Sequence, residues 1–284
     1  MKKLLPLFVV APLFALESQT IHSSILGYYE NKTYSHSKQK IDGRVYGIGG
    51  DIHYKKSAFR FAYEDGAATT KKPPMKKDLT NQKLFLRYRY ALNDKFYLHL
   101  NYLSVLHDNI AITSGGDGYG GGITYNYNKK LLCDATQYYV KYNDFKTYQS
   151  DIKVDYKSTV NAFTIKFSLI GKYIKLTDIH PNKFTHNAKD HYSTAGIKIH
   201  AHYKSYHFGA GAYFGKRLFA IMNDGFKLQH HAMEFNKSYA VGVGKTFNRF
   251  ILRVQYIYNK AKELPVNNPD VKIENIRFIL NYKI

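Results

Sequence analysis

The alternation of apolar and polar side chains runs to the last residue of the chain, which ends in RFILNYKI. Phe278, Leu280, Tyr282 and Ile284 take every second position, and mostly polar residues stand between them. A period of two is typical of a β-strand with one apolar and one polar face. The apolar face of such a strand needs a cover, and the rest of the sequence decides what that cover is.

The same alternation recurs from Ile21 onward, and no stretch of comparable length has helical periodicity. Short connections alternate with long polar ones, which predicts about 14 antiparallel strands. The irregular stretch 131–176 leaves twelve strands as an alternative. The short connections are predicted near 55–57, 93–95, 128–130, 168–171, 203–206 and 246–249, and the long ones near 36–43, 65–81, 107–117, 144–150, 177–190, 215–232 and 260–270.

The N-terminus predicts export from the cytoplasm. Lys2 and Lys3 precede an apolar run over 4–14, and Ala15 is a small residue at the position expected for cleavage. The run is too short to span a bilayer as a helix. Residues 1–15 are therefore predicted to be a signal peptide cleaved near Ala15, and 16–284 to be the mature domain.

Composition is compatible with strands that face lipid on one side and water on the other. Aromatic residues make up 16% of the chain, with 27 Tyr, 18 Phe and no Trp, yet the mean hydropathy is negative. Cys133 is the single cysteine, so no intramolecular disulfide forms. The formal net charge is +21. In an exported chain this excess points to acidic lipid head groups or anionic solutes, with no nucleic acid partner expected.

Tyrosines gather near the predicted strand ends, a distribution typical of interfacial girdles in membrane barrels. An exported, soluble all-β sandwich or lipocalin-like barrel is the alternative, but its large aromatic residues would point inward. The girdle tyrosines are Tyr28, Tyr29, Tyr88, Tyr90, Tyr125, Tyr127, Tyr256, Tyr258 and Tyr282.

These features resemble the bacterial outer-membrane porin-like β-barrels over almost the whole mature chain. The closing strand carries the resemblance most clearly, although barrels of this family usually end in an aromatic residue and this chain ends in Ile284. The resemblance implies an all-β, antiparallel transmembrane β-barrel in the Gram-negative cell outer membrane. It also implies that barrel-assembly machinery reads the strand with Phe278, Leu280, Tyr282 and Ile284, and that outer-membrane lipids and lipopolysaccharide surround the barrel.

If the apolar faces meet lipid, the other parity faces the lumen. Because rings of Arg and Lys set anion preference in pores, the basic residues on this parity are predicted to line the pore and select anions. Alternatively, they pair with acids on neighbouring strands and brace the wall. The predicted pore-lining residues are Arg60, Lys83, Arg87, Arg89, Lys166, Lys198, Arg253 and Arg277.

The sequence favours a passive, porin-like channel that passes small, preferentially anionic solutes by diffusion. The alternative is a non-conducting structural or surface-interaction barrel whose cationic loops bind lipopolysaccharide or host molecules. The segment 215–232 is too apolar to be fully solvated and is predicted to fold inward or pack at the rim, through Leu218, Phe219 and Phe226. An open lumen would favour the channel, and a lumen filled by this segment would favour the alternative. The cationic loop residues are Lys71, Lys72, Lys76, Lys77, Lys260 and Lys262.

No enzyme activity, cofactor or metal site is predicted. Ser205 and His207 share one face of a strand but lie about 7 Å apart along it, beyond hydrogen-bond reach. His200 and His202 also share a face, but no third ligand stands at metal-site spacing.

Overall fold

The computed structural model describes residues 21–109, 112–128, 130–180 and 187–284; the predicted signal peptide, 1–15, and its cleavage near Ala15 lie outside them. The described residues form a closed antiparallel barrel of fourteen strands. The prediction of 14 strands is confirmed, and the twelve-strand alternative is wrong. The barrel strands are β1 His22–Ser35, β2 Lys40–Tyr54, β3 Ser57–Thr70, β4 Leu79–Ala91, β5 Phe96–Asp108, β6 Asp117–Asn126, β7 Leu131–Lys141, β8 Lys146–Val160, β9 Phe163–Thr177, β10 His191–Tyr203, β11 Tyr206–Arg217, β14 Met233–Phe247, β15 Phe250–Glu263 and β16 Asn268–Lys283, and the short strands β12 (Ile221–Met222) and β13 (Lys227–Leu228) form a separate pair. Around the barrel the strands follow the order β1-β16-β15-β14-β11-β10-β9-β8-β7-β6-β5-β4-β3-β2.

Several connections differ in place or length from the prediction, and most of the long ones are shorter, since the strands extend into them. The turn expected at 168–171 is absent, because β9 continues through it, and the turn lies instead at 161–162, where Asn161 has a φ of 54°. Asparagine adopts this left-handed conformation more readily than most residues. The inward face of β9 carries Ile170 and Ile174, which are buried, so the strand is apolar on both faces there and its period of two is masked. The long loop expected at 144–150 shrinks to 142–145.

β1 and β16 close the barrel, with register from Ser24↔Lys283 to Ser35↔Lys272. β16 also pairs along its other edge with β15. Closure matters in lipid, because an unpaired backbone edge has no water to hydrogen-bond with.

The outside of the barrel carries a broad band of exposed apolar side chains. Leu100 is 63% exposed and Ile152 64%, and Phe278 and Leu280 of the closing strand are about half exposed. A soluble monomer rarely exposes an apolar surface of this extent, whereas a membrane barrel turns it to lipid. The described residues contain no helix long and apolar enough to cross a bilayer.

Tyr28 does not belong to the outer girdle. It lies on the inward face of β1, and its hydroxyl donates a hydrogen bond to Glu64 across the lumen wall. The prediction for this tyrosine is wrong. Residues two positions apart on a strand face the same side, so Tyr28 faces inward with Glu30, and its neighbour Tyr29 faces the other side.

The two ends of the barrel differ. Tight connections such as 55–56, 204–205 and 248–249 lie at one end, together with the start of β1 and the last residues of β16; we call it the turn end. The longer connections lie at the opposite end, the loop end. The longest one described throughout, 218–232, is called loop L6. It contains β12 (Ile221–Met222), a 3-10 turn (Asn223–Gly225) and β13 (Lys227–Leu228).

The buried core lies inside the barrel at the loop end. Leu218, Phe219 and Ile221 of L6 are fully buried. Phe219 packs against the rings of Tyr142 and Phe145, with centroids 5.9 and 4.5 Å away. L6 therefore folds into the barrel instead of projecting into water.

Candidate functional site

The predicted pore-lining residues lie on the inward faces of their strands, but the structure places them in three groups instead of one ring. One group contacts L6, a second pairs with carboxylates of the wall, and a third lies towards the turn end. The groups are Arg60, Arg87 and Lys198; Lys83 and Arg277; and Arg89, Lys166 and Arg253.

L6 is anchored through its backbone to β8. The N–H of Ile221 donates to Oε1 of Gln149 at 2.8 Å, and Nε2 of Gln149 donates to the carbonyl of Ile221 at 2.7 Å. Nζ of Lys172 donates to the same carbonyl at 3.0 Å and pairs with Asp151. Buried backbone groups must find partners, and here the far wall supplies them to the tip of the loop.

Asp224 ties the L6 tip to the wall electrostatically. Its carboxylate accepts two hydrogen bonds from Nζ of Lys153, at 2.9 and 2.8 Å, and its carbonyl accepts one from Arg87 at 2.9 Å. Burial would raise the pKa of Asp224, but Lys153, Arg87 and Lys198 together hold it well below its ordinary value. About half of its side chain, 49%, is still open to lumen water. Asp224 therefore remains ionised and attached near neutral pH.

The turn after Asp224 brings L6 close to the opposite wall. Gly225 has a φ of 98°, and a Cβ there would lie 2.9 Å from Oδ1 of Asn101. Phe226 follows and packs against Phe85, with ring centroids 6.5 Å apart, while the Arg60 guanidinium lies 5.5 Å from its ring. The structure thus places Leu218, Phe219 and Phe226 inside the barrel.

Three wall carboxylates pair with predicted pore-lining cations, and the longest of these pairs joins Asp155 to Lys166, at 3.8 Å between Oδ2 and Nζ. Glu30, 1% exposed, accepts hydrogen bonds from Nε and Nη2 of Arg277. Glu64 pairs with Lys83 at 2.7 Å between Oε2 and Nζ. Lys83 and Arg277 therefore brace neighbouring strands, which was the alternative to a pore-lining role for the basic residues.

A recess follows the wall on the side away from the L6 anchor. One cavity of about 330 Å³ lies between L6 and β11, β14 and β15. A second, of about 400 Å³, lies towards the turn end. Both are lined by His200, Gly209, Gly242 and Gln255, so they are continuous. We call them together the basic recess. Its described lining includes Lys157, Lys166, Lys198, Arg217, Lys227, Arg253 and Arg277 but no Asp or Glu. Carboxylates stand at its margins, in two smaller cavities that share lining residues with it: Glu30 and Glu64 in one of about 70 Å³, and Asp134, Asp151 and Asp224 in one of about 10 Å³.

Glycines on the inward positions of β11 and β14 make room for this recess. A Cβ on Gly244 would lie 2.6 Å from Cγ of Arg253, and one on Gly242 would lie 3.0 Å from Cγ of Gln255. The basic and polar side chains of β15 therefore lie across bare backbone. We call Gly209, Gly211, Gly242 and Gly244 the glycine wall.

Beyond L6, the described residues narrow the loop end of the lumen and leave a cavity of only about 70 Å³ there. Ser37 donates a hydrogen bond to Glu263, and Leu264 and Tyr142 are buried there with L6. The basic recess is therefore open towards the turn end and narrowed at L6.

Several residues of this site lie outside the predicted set: Glu30, Asp151, Lys153, Lys172 and Arg217. The alternation along β8 contains the signal for Asp151 and Lys153. Lys172 was missed because a turn was expected at 168–171, which separated this residue from the inward face of β9.

His207, which was expected to share one strand face with Ser205, contacts a threonine of β14. Nε2 of His207 lies 2.6 Å from the hydroxyl of Thr246. No group of three or more His, Cys, Asp or Glu side chains is arranged to hold a metal ion within the described ranges.

No protein-family model and no curated protein matches the sequence. Solved structures do share the fold. A bacterial polysaccharide outer membrane secretin is 9% identical, with a TM-score of 0.54 over 93% of this chain and 98% of that one. The NanC porin is 10% identical, with a TM-score of 0.51 over 91% and 100%. The Acinetobacter baumannii outer membrane protein Omp33 is 10% identical, with a TM-score of 0.50 over 93% and 99%. At these identities the likeness concerns the fold alone, and for the fold it confirms the resemblance to outer-membrane porin-like barrels.

Proposed function

We propose that this chain is an outer-membrane channel through which small, preferentially anionic solutes diffuse, with its turn end towards the periplasm. The basic recess is the observation that carries this proposal, because its described lining has many cations and no carboxylate. In a water-filled passage bounded by a low-dielectric wall, charge of one sign concentrates counter-ions. Export by a cleaved signal peptide and assembly through β16 are part of the same proposal.

The narrowing at L6 gives the channel a low resting conductance. Solute entering the basic recess from the turn end meets Met222, Asn223 and Lys227 of L6. Passage to the loop end then requires L6 to move from the wall, where Gln149 and Lys153 hold it. The expected current is therefore intermittent and rises when L6 is shortened.

Planar-bilayer recording of the refolded mature protein tests conduction. We expect discrete current steps for the wild type, and larger, steadier steps for a variant in which 221–228 is replaced by a short Gly-Ser linker. Protein kept unfolded serves as the control for detergent artefacts. Silence from both folded proteins would exclude the channel.

A non-conducting, surface-interaction barrel is the second candidate, and the narrowed loop end favours it. Lys71, Lys72, Lys76 and Lys77 stand in the outer connection between β3 and β4, and Lys260 and Lys262 near the end of β15. Within this set, Lys72 pairs with Asp78 at 3.1 Å and Lys260 with Asp270 at 3.5 Å. Salt-sensitive binding to lipopolysaccharide that is lost on replacing the four loop lysines, together with silence in the bilayer, would support this candidate.

A further inference from the structure

Arg217 is a buried cation without a carboxylate partner among the described residues. It ends β11, is 1% exposed and lies over the rings of Tyr213 and Phe235, 5.6 and 5.3 Å from their centroids. Nη2 donates a hydrogen bond to Ser238, whereas Nε and Nη1 are buried and have no hydrogen-bond partner. Buried donors normally have acceptors, so these groups call for an explanation.

The acid next to Phe235, the cross-strand neighbour of Arg217, pairs elsewhere. Glu234 forms an ion pair with Lys216, at 2.7 Å between Oε1 and Nζ. The hydroxyl of Ser238, which accepts from Arg217, in turn donates to Asn259. Neither contact neutralises the guanidinium. Burying an unneutralised ion is costly, because protein dipoles replace only part of its hydration.

Arg217 lines the cavity of about 330 Å³ between L6 and the wall, together with Lys198, Lys227 and Arg277. Of these, Arg277 is neutralised by Glu30, and Nζ of Lys227 lies 4.0 Å from Oε1 of the same carboxylate. Lys198 donates to the neutral side-chain oxygen of Asn223, at 3.2 Å. The cavity holds roughly ten times the volume of one water molecule. A small polyatomic anion fits there with part of its hydration shell.

We propose that this cavity is a binding site for a small, multiply charged oxyanion of the phosphate class, with Arg217 as its principal donor. The N–H groups on Nε and Nη1 supply charge-assisted hydrogen bonds. Lys198 and Lys227, which line the same cavity, supply further positive charge. Two or three cations around one oxyanion match a divalent ligand better than they match chloride.

The glycine wall gives the ligand its route to Arg217. The two cavities of the basic recess are continuous past Gly209 and Gly242, so an anion that enters at the turn end reaches Arg217 without crossing L6. The site deepens the proposed channel, and rests on it for access from the periplasm. Binding itself needs only the folded barrel, so the two claims are separable.

Isothermal titration of the refolded protein in detergent with inorganic phosphate tests the site. Chloride at equal ionic strength is the reference anion. We expect saturable binding by the wild type and binding weakened roughly 30-fold or more in Arg217→Gln, as for loss of one partner of a desolvated charge pair. Arg249→Gln removes an exposed arginine in a tight turn and is expected to bind like the wild type.

A second variant keeps the test decisive if Arg217→Gln fails to fold. Ala240→Leu leaves every charge in place and adds bulk to a residue that lines the cavity. It is expected to lose phosphate binding while retaining the heat-modifiable mobility of a folded barrel. Phosphate should also raise the unfolding temperature of the wild type, since a ligand that binds only the folded state stabilises it.

The outcomes separate this site from the channel. No phosphate binding by the folded wild type, or equal binding by Arg217→Gln, overturns the site, even when the bilayer shows current. Binding that depends on Arg217 in a barrel that conducts no current supports the site and overturns the channel.

Discussion

Each cation in the lumen takes its role from the group beside it. Arg277 lies against Glu30 and joins β16 to β1. Arg87 holds the backbone of L6 at Asp224. Arg253 lines the basic recess, and its Nε has no hydrogen-bond partner. Replacing Arg277 should therefore cost stability, whereas replacing Arg253 should mainly change the potential that a passing ion meets.

Asp224→Asn tests the attachment of L6. Because its pKa in the folded protein lies below the ordinary value, the wild-type carboxylate contributes to docking above the ordinary pKa and loses this contribution only as pH falls through the lowered value. We expect wild-type conductance to stay low from pH 7 to about pH 4, near the ordinary pKa of Asp. Asp224→Asn should conduct several-fold more at both pH values.

Asp94→Asn is the matched control, because Asp94 lies in the tight turn between β4 and β5. It should behave as the wild type in the same recordings. Equal conductance of Asp224→Asn and wild type would show that the Lys153 pair does not hold L6.

At the scale of elements, L6 and the glycine wall occupy opposite sides of the lumen. L6 folds inward because Leu218, Phe219 and Ile221 leave water, each burial contributing about 1.5–3 kcal/mol. Gln149 satisfies its backbone on the β8 side. The glycines of β11 and β14 add no side chains of their own on the other side, where only those of neighbouring strands enter, and the passage that remains follows them.

Gly209→Leu tests whether solute follows the glycine wall. A Cβ at Gly209 meets no atom closer than Nδ1 of His200, at 3.6 Å, so the backbone tolerates the change while the side chain enters the recess. We expect conductance to fall severalfold. Ala212→Leu, on the outward face of the same strand beside the exposed Ile197 and Tyr239, should leave conductance unchanged. Equal currents from the two variants would rule out this route.

Strand number and strand faces could be predicted from the sequence because lipid and lumen impose a period of two. The outward direction of Phe278 and Leu280 could be predicted without knowing which strands pair with β16. The pairing of Glu30 with Arg277 could not be predicted, since it joins residues 247 positions apart. The β8–β9 boundary was misplaced because packing against L6 makes β9 apolar on both faces.

Arg217 was missed for a related reason. The predicted connection 215–232 included it, whereas β11 continues to Arg217 after a register shift that follows Phe214. A residue assigned to a loop has no predicted face. Leu218 and Phe219 pack inside the barrel, and this packing extends the wall as far as Arg217. Tertiary packing of that kind leaves no local period in the sequence.

The whole molecule is a closed sheet whose outer face requires lipid. β1 and β16 join its ends, so the outward residues of β16 belong to the apolar band and to the seam at once. A charge on this face should therefore be destabilising, and the same charge one residue further along should be less destabilising.

Phe278→Arg and Ile279→Arg make this comparison. Phe278 is 48% exposed on the outside, whereas Ile279 lines the basic recess. We expect Phe278→Arg to lower the free energy of unfolding in lipid vesicles by about 2 kcal/mol, with a smaller loss for Ile279→Arg. The denaturant midpoints of the two variants measure the difference. A larger loss for Ile279→Arg would reverse the assignment of faces.

The reversal potential of the refolded protein in a planar bilayer, under a KCl gradient, tests the central claim most directly. The described recess carries Lys, Arg and His without Asp or Glu. It therefore predicts a reversal potential with the sign of the chloride equilibrium potential, and a shift of the reversal potential towards zero in Arg253→Glu. A potential of the sign set by potassium, unchanged in Arg253→Glu, would contradict an anion-preferring channel.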